Sequence, residues 1–425
     1  MKQSGIDWIG EIPDDWKTRQ IRYLFSLRDE RNYKPLSEVN LISVYTDKGV
    51  LQHSDIEQTT GNKAQNADGY KLVYKNDLVV NIILCWMGAL GISDFDGVTS
   101  PAYDVYAPKD LNTILPKYYH YLFRTPQFNG KCYTEGRGIM QMRWRTYSSE
   151  FKSIKVPLPP KATQQRIAEY LDSKCAQIDS IIEESKKSIE EYKAWKQSVI
   201  FEAVTGKNLN CKKKDSGIEW IGEIPEGWKI TAIKQLYNVT LGKMIASKQT
   251  SDLDTLENYL CAANIKWLGV NTEVNKQMYF NDLEKEEYLL IPGDVLLMEG
   301  GLAGTACIYQ NEFSPCYMQN SVLRCRCKTI GYNKYLYYWL FAIYHVGYID
   351  SICNRATIQH YTKEKVENTP ILVNAISEQE YIAKMLDSKC AQIDSLIAEK
   401  ESLIADLTEY KKSLIFEVVT GKRSV

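Results

Sequence analysis

Between residues 167 and 203 a stripe runs through Ile167, Leu171, Cys175, Ile178, Ile182, Ser185, Ile189, Tyr192, Lys196, Val199 and Ala203, apolar or small but for Lys196. Steps of three and four with a period near 3.5 are the mark of a coiled-coil seam, so the pattern predicts a long amphipathic helix. A second stripe falls at Ile382, Leu386, Cys390, Ile393, Ile397, Ile404, Leu407, Leu414 and Val418, with Lys400 and Lys411 as polar breaks. Each helix is expected to start just after a proline-containing strand end (Pro157, Pro159 and Pro160; Pro370) and to stop at Thr-Gly-Lys. There Gly206 and Gly421 can take the left-handed cap conformation. One helix alone would leave its stripe wet. The economical arrangement pairs the two, antiparallel, as an internal two-fold axis would require; a solvent-exposed or partner-binding helix is the alternative. About 35 to 40 residues at ~1.5 Å each make a rod of roughly 50 to 60 Å. Such a rod could hold two heads between one and two turns of duplex DNA apart.

The rest of the chain carries shorter patterns. Alternating or apolar runs at residues 40–46, 78–84, 98–107 and 153–158, and at 259–263, 294–299 and 320–327, predict strands. Lys117-Tyr118-Tyr119-His120-Tyr121-Leu122-Phe123 and Lys334-Tyr335-Leu336-Tyr337-Tyr338-Trp339-Leu340 each predict a helix that lays an aromatic face on a sheet. The fold class is therefore α+β. Two mixed α/β globules are each followed by a long helix, and the helices pair as an antiparallel coiled coil with pseudo-two-fold symmetry.

That symmetry is written into the chain. Ser4-Gly5-Ile6-Asp7-Trp8-Ile9-Gly10-Glu11-Ile12-Pro13-Asp14-Asp15-Trp16-Lys17 returns from Ser216 to Lys229 with eleven of fourteen positions identical. Asp172 to Ser180 returns unchanged as Asp387 to Ser395, and Thr205-Gly206-Lys207 returns as Thr420-Gly421-Lys422. A period above 200 residues is too long for a solenoid, so each copy is a domain plus a helix. Between these blocks the copies diverge but keep a skeleton, with Asn76-Asp77-Leu78-Val79-Val80 answering Gly293-Asp294-Val295-Leu296-Leu297.

Composition narrows the chemistry. Eleven cysteines without a CxxC pair read as buried thiols of a reducing compartment, and Cys325-x-Cys327 with four histidines is too little for a metal centre. The start lacks the basic and apolar regions of a signal peptide, and no apolar run approaches 18 residues, so a cytoplasmic location is expected. Nucleotide hydrolysis is not expected, because Gly206-Lys207, Gly242-Lys243 and Gly421-Lys422 all lack the upstream glycine of a phosphate loop. Asp15-Trp16-Lys17 becomes Gly227-Trp228-Lys229 in the second copy, so its carboxylate is read as structural rather than nucleolytic. Ser100-Pro101-Ala102-Tyr103 resembles an adenine-holding loop of amino-methyltransferases, but its second proline is alanine and no glycine-rich cofactor turn precedes it. No catalytic site is expected.

A net charge of −1 conceals two basic regions. Residues 117–155 carry a surplus of six positive charges and residues 324–365 a surplus of five. Interleaved with the cations are side chains able to read base edges or to stack. The candidate DNA contacts are Arg124, Lys131, Arg137, Gln141, Arg143 and Arg145 in the first globule, with Trp144 and Tyr147 beside them. In the second they are Gln319, Asn320, Arg324, Arg355, Thr357, Gln359 and His360, followed by Tyr361.

With its twice-written opening, its divergent globules and its repeated helices, the chain resembles the specificity subunits of type I restriction-modification systems over its whole length. The most telling residues are the Ser-Gly-Ile-x-Trp-Ile-Gly-x-Ile-Pro-x-x-Trp openings and the run Ile154 to Pro160 leading into Gln164-Gln165-Arg166-Ile167-Ala168. The second copy matches more loosely, with Pro370, Asn374-Ala375-Ile376 and Glu378 to Ala383. The resemblance implies target-recognition domains at 1–160 and 211–375, a central coiled-coil helix at 161–210 and a C-terminal one at 376–425. Each domain would read one half of a bipartite asymmetric site in double-stranded DNA, and the helices would set the unread gap. It further implies that two methyltransferase subunits using S-adenosylmethionine dock on the helices, and that a motor-nuclease using ATP and Mg joins them, while this chain binds no cofactor itself. Two other readings stay open: a recognition subunit for a single-chain restriction enzyme, and a coiled-coil scaffold that does not bind DNA.

Overall fold

The computed structural model describes residues 1–55, 66–138, 144–328, 331–353 and 359–425. They form two compact units. The first combines Met1–Lys186 with Ser402–Val425, and the second is Lys187–Glu401. The helices Lys161–Thr205 and Ile376–Val419 therefore each give one half to each unit.

Both units are built on the same four-stranded antiparallel sheet. In the first its order is Phe25–Arg28, Tyr103–Pro108, Leu78–Asn81, Leu90–Ile92. In the second it is Tyr237–Leu241, Val322–Cys327, Val295–Met298, Ala306–Ile308. The shared skeleton at the third strand has a physical cause. Asn76 and Gly293 sit at φ +76° and +93°, turning the chain so that the next residue points inward. The buried Asp77 and Asp294 carboxylates then accept the Tyr74 and Ile291 amides, each at 2.9 Å. The neutralising cation differs between the copies: Arg28 from the first strand pairs with Asp77, and Arg326 from the second pairs with Asp294. Burial raises the Asp77 pKa above the ordinary carboxylate value despite Arg28.

The expected run 98–107 is two strands, Gly97–Thr99 and Tyr103–Pro108, because Ser100-Pro101 makes a turn closed by the Tyr103 amide on the Ser100 carbonyl at 3.0 Å. The aromatic helices form as predicted, at Pro116–Phe123 and Asn333–His345. Tyr118, Tyr119, Leu122 and Phe123 are fully buried in one, and Tyr335, Leu336, Trp339 and Leu340 in the other. The opening of each half ends in a strand that pairs with the strand leading into its helix: Lys17–Gln20 with Lys155–Leu158, and Lys229–Ala232 with Pro370–Val373. The looser second copy costs nothing here. Ala375 accepts the Glu378 and Gln379 amides as Pro160 accepts those of Thr163 and Gln164.

Within each unit two half-helices run antiparallel and enter the core. In the first, Ile167, Leu171 and Ile178 share a core with Leu414, Val418 and Val419, and Lys411 pairs with Asp179 at 2.6 Å. In the second, Ile200, Ala203 and Val204 share a core with Ile382, Ala383, Leu386 and Cys390, and Lys196 pairs with Asp394 at 2.6 Å. Asp179 and Lys411 are the copies, 215 residues apart along the chain, of Asp394 and Lys196. The polar break at Lys411 is thus a register pin; half-exposed pairs of this kind contribute little to stability, about 0 to 1 kcal/mol.

Each helix ends on a glycine in the left-handed region, Gly206 at φ +70° and Gly421 at φ +72°. The turn is closed by the Lys207 amide on Glu202 O and by the Arg423 amide on Glu417 O. Each glycine also lies against an opening block. A Cβ on Gly206 would come within 2.5 Å of Pro225, and one on Gly421 within 2.4 Å of Pro13. Gly421→Ala is expected to destabilise the first unit by about 2 kcal/mol or more, the sum of left-handed strain and overpacking. Gly206→Ala should do the same to the second, with hydrogen exchange reporting faster opening only in the unit that carries the change.

Candidate nucleic-acid interface

In both units the loop after the third strand's counterpart, Leu78–Asn81 or Val295–Met298, is met by the loop that follows the helical layer. The meeting is made by the same hydrogen bond. Thr146 N donates to Ile82 O at 3.0 Å, and Tyr361 N donates to Glu299 O at 2.7 Å. Both donors belong to buried residues, so each junction is fixed from below while its neighbours face outward.

In the first unit this junction carries an aromatic stack. Tyr133 stacks on Trp144 with centroids 4.9 Å apart, Trp86 tilts against Tyr133 at 5.4 Å, and Trp144 Nε1 donates to Tyr133 O at 3.0 Å. Arg137 and Arg145 are joined by an isolated antiparallel bridge. The Arg137 guanidinium lies 5.0 Å over the Tyr147 ring and pairs with Glu150 at 3.1 Å, its side chain still 69% exposed. Arg145 is exposed. Gln141 and Arg143 lie outside the described residues.

In the second unit the loop is Glu299-Gly300-Gly301-Leu302-Ala303-Gly304. His360 bridges to Gly300, and its Nδ1 is 2.9 Å from the Glu299 carboxylate, with 53% of the side chain exposed. A Cβ on Gly300 would stand 3.2 Å from the imidazole, a contact that the ring would have to relieve by a few tenths of an ångström. Gln359 donates to Asp350 at 3.2 Å, and Leu302 protrudes. Arg355 and Thr357 lie outside the described residues.

The other sequence candidates are engaged within the protein around these junctions. Arg124 donates to the carbonyls of Asp47, Gly88 and Leu90, and burial lowers its pKa from the ordinary value. Arg324, only 7% exposed, donates to Glu287 O at 3.0 Å, Leu289 O at 2.8 Å and Thr240 Oγ1 at 3.2 Å. Burial, with Arg326 alongside, pulls its pKa down. Gln319, 9% exposed, hydrogen-bonds to Asn320 and Ser321, and the backbone amides of Gln319 and Asn320 donate to Leu260 O and Lys243 O of distant segments. Lys131 pairs with Glu135 at 2.7 Å and lines a small cleft with Gly5 to Trp8 of the opening block.

Much of the counted positive surplus is also neutralised from outside the counted windows. Lys117 pairs with Asp172, Lys334 with Asp387 and Arg326 with Asp294. Trp86, Tyr133 and the Glu299–Gly304 loop escaped the sequence reading; the cluster of glycines at 300, 301 and 304 around an apolar Leu302 was the available signal.

The twice-repeated plan of domain and helix has counterparts among known proteins. The family model for the type I restriction-modification DNA specificity domain matches residues 13–191 and again 225–404. The chain belongs to that family. Type I specificity subunits provide DNA target recognition and are non-catalytic, the activities lying in their partner subunits. This specificity subunit is 24% identical to the MjaVIII specificity subunit of Methanocaldococcus jannaschii over 97% of its own length and 93% of that protein's. It is 26% identical to the EcoBI specificity subunit of Escherichia coli over 35% of this chain and 30% of the other. Its fold matches a chain from the structure describing complex assembly and conformational transition of the type I R-M system, with TM-score 0.73 and 14% identity, covering 97% of this chain and all of that one. The HsdS subunit of Thermoanaerobacter tengcongensis matches with TM-score 0.57 and 14% identity, over 97% and 98% of the two chains. Among the described residues no group of three or more His, Cys, Asp or Glu could hold a metal, and no helix is long and apolar enough to cross a membrane.

Arg124→Ala and Arg324→Ala should each destabilise their own unit by about 2 to 3 kcal/mol, since several charge-assisted bonds to loop carbonyls are lost. Arg145→Ala should change stability by no more than about 0.5 kcal/mol. Denaturant titration with hydrogen exchange resolves the difference.

Proposed function

We propose that each unit of this specificity subunit reads one half of a bipartite, asymmetric target in double-stranded DNA. The first would read through the junction of Arg137, Trp144, Arg145 and Tyr147 with the Ile82–Gly88 loop, together with Gln141 and Arg143. The second would read through Gln359 and His360 over the Glu299–Gly304 loop, together with Arg355 and Thr357. Arg124, Arg324, Gln319 and Asn320 would act by holding the frame beneath these loops. The helices, 45 and 44 residues long, would fix the unread gap. Their repeated faces and the repeated openings would dock two methyltransferase subunits that use S-adenosylmethionine, with motor-nuclease subunits using ATP and Mg completing the complex. The domains for these tasks are residues 1–160 and 211–375, with helical segments 161–210 and 376–425.

The observation that carries this reading is the reuse of one hydrogen bond, Thr146 to Ile82 and Tyr361 to Glu299, to mount two loops of unlike sequence on like frames. A frame shared twice suits identical partners, and unlike loops suit unlike half-sites. A scaffold has no need of the second feature.

The test is base preference in the complex with the neighbouring methyltransferase subunits. Arg145→Ala should relax selection in one half-site, by the 1 to 3 kcal/mol typical of a lost base contact (about 5- to 150-fold), and leave the other half intact. The double substitution Gln359→Ala, His360→Ala should relax only the other half. Relaxation of both halves by either variant would overturn the modular reading.

A further inference from the structure

The aromatic helices carry three polar groups that neither core packing nor base reading uses. In the first unit, Lys117 Nζ lies 2.5 Å from Asp172 Oδ2, Tyr121 Oη donates to Asp172 Oδ1 at 2.7 Å, and Tyr118 Oη donates to Val419 O at 2.7 Å. In the second unit, Lys334 Nζ lies 2.5 Å from Asp387 Oδ2, Tyr338 Oη donates to Asp387 Oδ1 at 2.8 Å, and Tyr335 Oη donates to Val204 O at 3.1 Å. The same three residue types stand at the same spacing in two globules that otherwise diverge, and both carboxylates belong to the nine-residue block repeated without change.

The grip has a definite geometry. Lysine and the second tyrosine hold the start of the long helix that follows their own domain, Asp172 in one unit and Asp387 in the other. The first tyrosine, fully buried, holds the end of the other long helix at Val419 or Val204. Two attachment points on two different helices fix a domain against both sliding and rotation. A single contact, or apolar packing alone, would leave one of these motions soft. Salt-bridge energy is not the reason for the repeat, because Lys117, Lys334 and their carboxylates are all more than a third exposed. Direction is what two oxygens of one carboxylate, each engaged by a different partner, supply.

We infer that these two Lys-Tyr-Tyr clamps are positioning devices that set the phase of each recognition domain on the paired helices, and so the length of the unread gap that the subunit accepts. The inference rests on the bipartite reading proposed above. One added base pair moves a half-site about 3.4 Å along the duplex and turns it by about 35°. A domain held at two points resists that change; a domain that can swivel follows it.

The experiment uses the full chain with its methyltransferase subunits and a duplex library in which both half-site motifs are constant and the gap varies by one and two base pairs either way. The wild type should favour one gap. Tyr118→Phe, Tyr121→Phe, which keeps both rings in the core, and the milder Asp172→Asn, Asp387→Asn pair should each cut the preference for that gap by about tenfold or more, with base preference in both halves unchanged. Val79→Ala, a core change in the separate cluster of Ile42, Val44, Val73 and Val105, supplies the control: comparable loss of stability with the gap preference intact. Variants that keep the wild-type gap profile would overturn the clamp while leaving the bipartite reading standing. A wild type without a preferred gap would remove that reading and the clamp with it.

Discussion

A helix stripe that no single stretch of chain can keep dry governs this structure. Each recognition domain has a sheet and an aromatic helix, but its core closes only when two half-helices, from distant segments of the chain, run antiparallel through it. Burying that apolar area is worth about 25 cal/mol per Å², far more than the exposed ion pairs that decorate the helices. The ion pairs have another use. Asp179 with Lys411 and Asp394 with Lys196 occupy matched positions in the two copies, so one register satisfies both. Matching the registers ties the two halves of the chain into one symmetric plan.

The same constraint explains which parts of the chain repeat. A residue in the helices or the openings touches surfaces supplied by both copies: Gly421 rests on Pro13 as Gly206 rests on Pro225. Change in one copy would be felt in the other. At the junctions the loops are held through backbone groups, Thr146 N to Ile82 O in one unit and Tyr361 N to Glu299 O with Glu299 N to Ser321 O in the other, so their side chains can vary without disturbing the frame. Specificity and architecture are thereby separated, which is what a subunit that lends its target choice to partner enzymes needs.

Much of this is legible along the chain, and the failures have physical causes. The helices, their caps and the aromatic helix are local patterns, and period, glycine position and ring spacing suffice to find them. The strand break at Ser100-Pro101 follows from proline chemistry and was hidden by an apolar run on either side. The charge surplus misled more seriously. Lys117 and Lys334 count as free cations in any window that ends before Asp172 and Asp387, and Arg124 and Arg324 have carbonyl partners 34 to 77 residues away that no local window joins to them. The Glu299–Gly304 loop escaped because irregular backbone has no period.

The central claim is that two unlike loop junctions on one repeated frame read two unlike half-sites at a fixed separation. Selection from a random duplex library by the specificity subunit co-purified with its methyltransferase subunits, followed by sequencing, tests it most directly. Two short, different motifs at one constant gap are the predicted result. A single contiguous motif, or no enrichment by an intact complex, would contradict it.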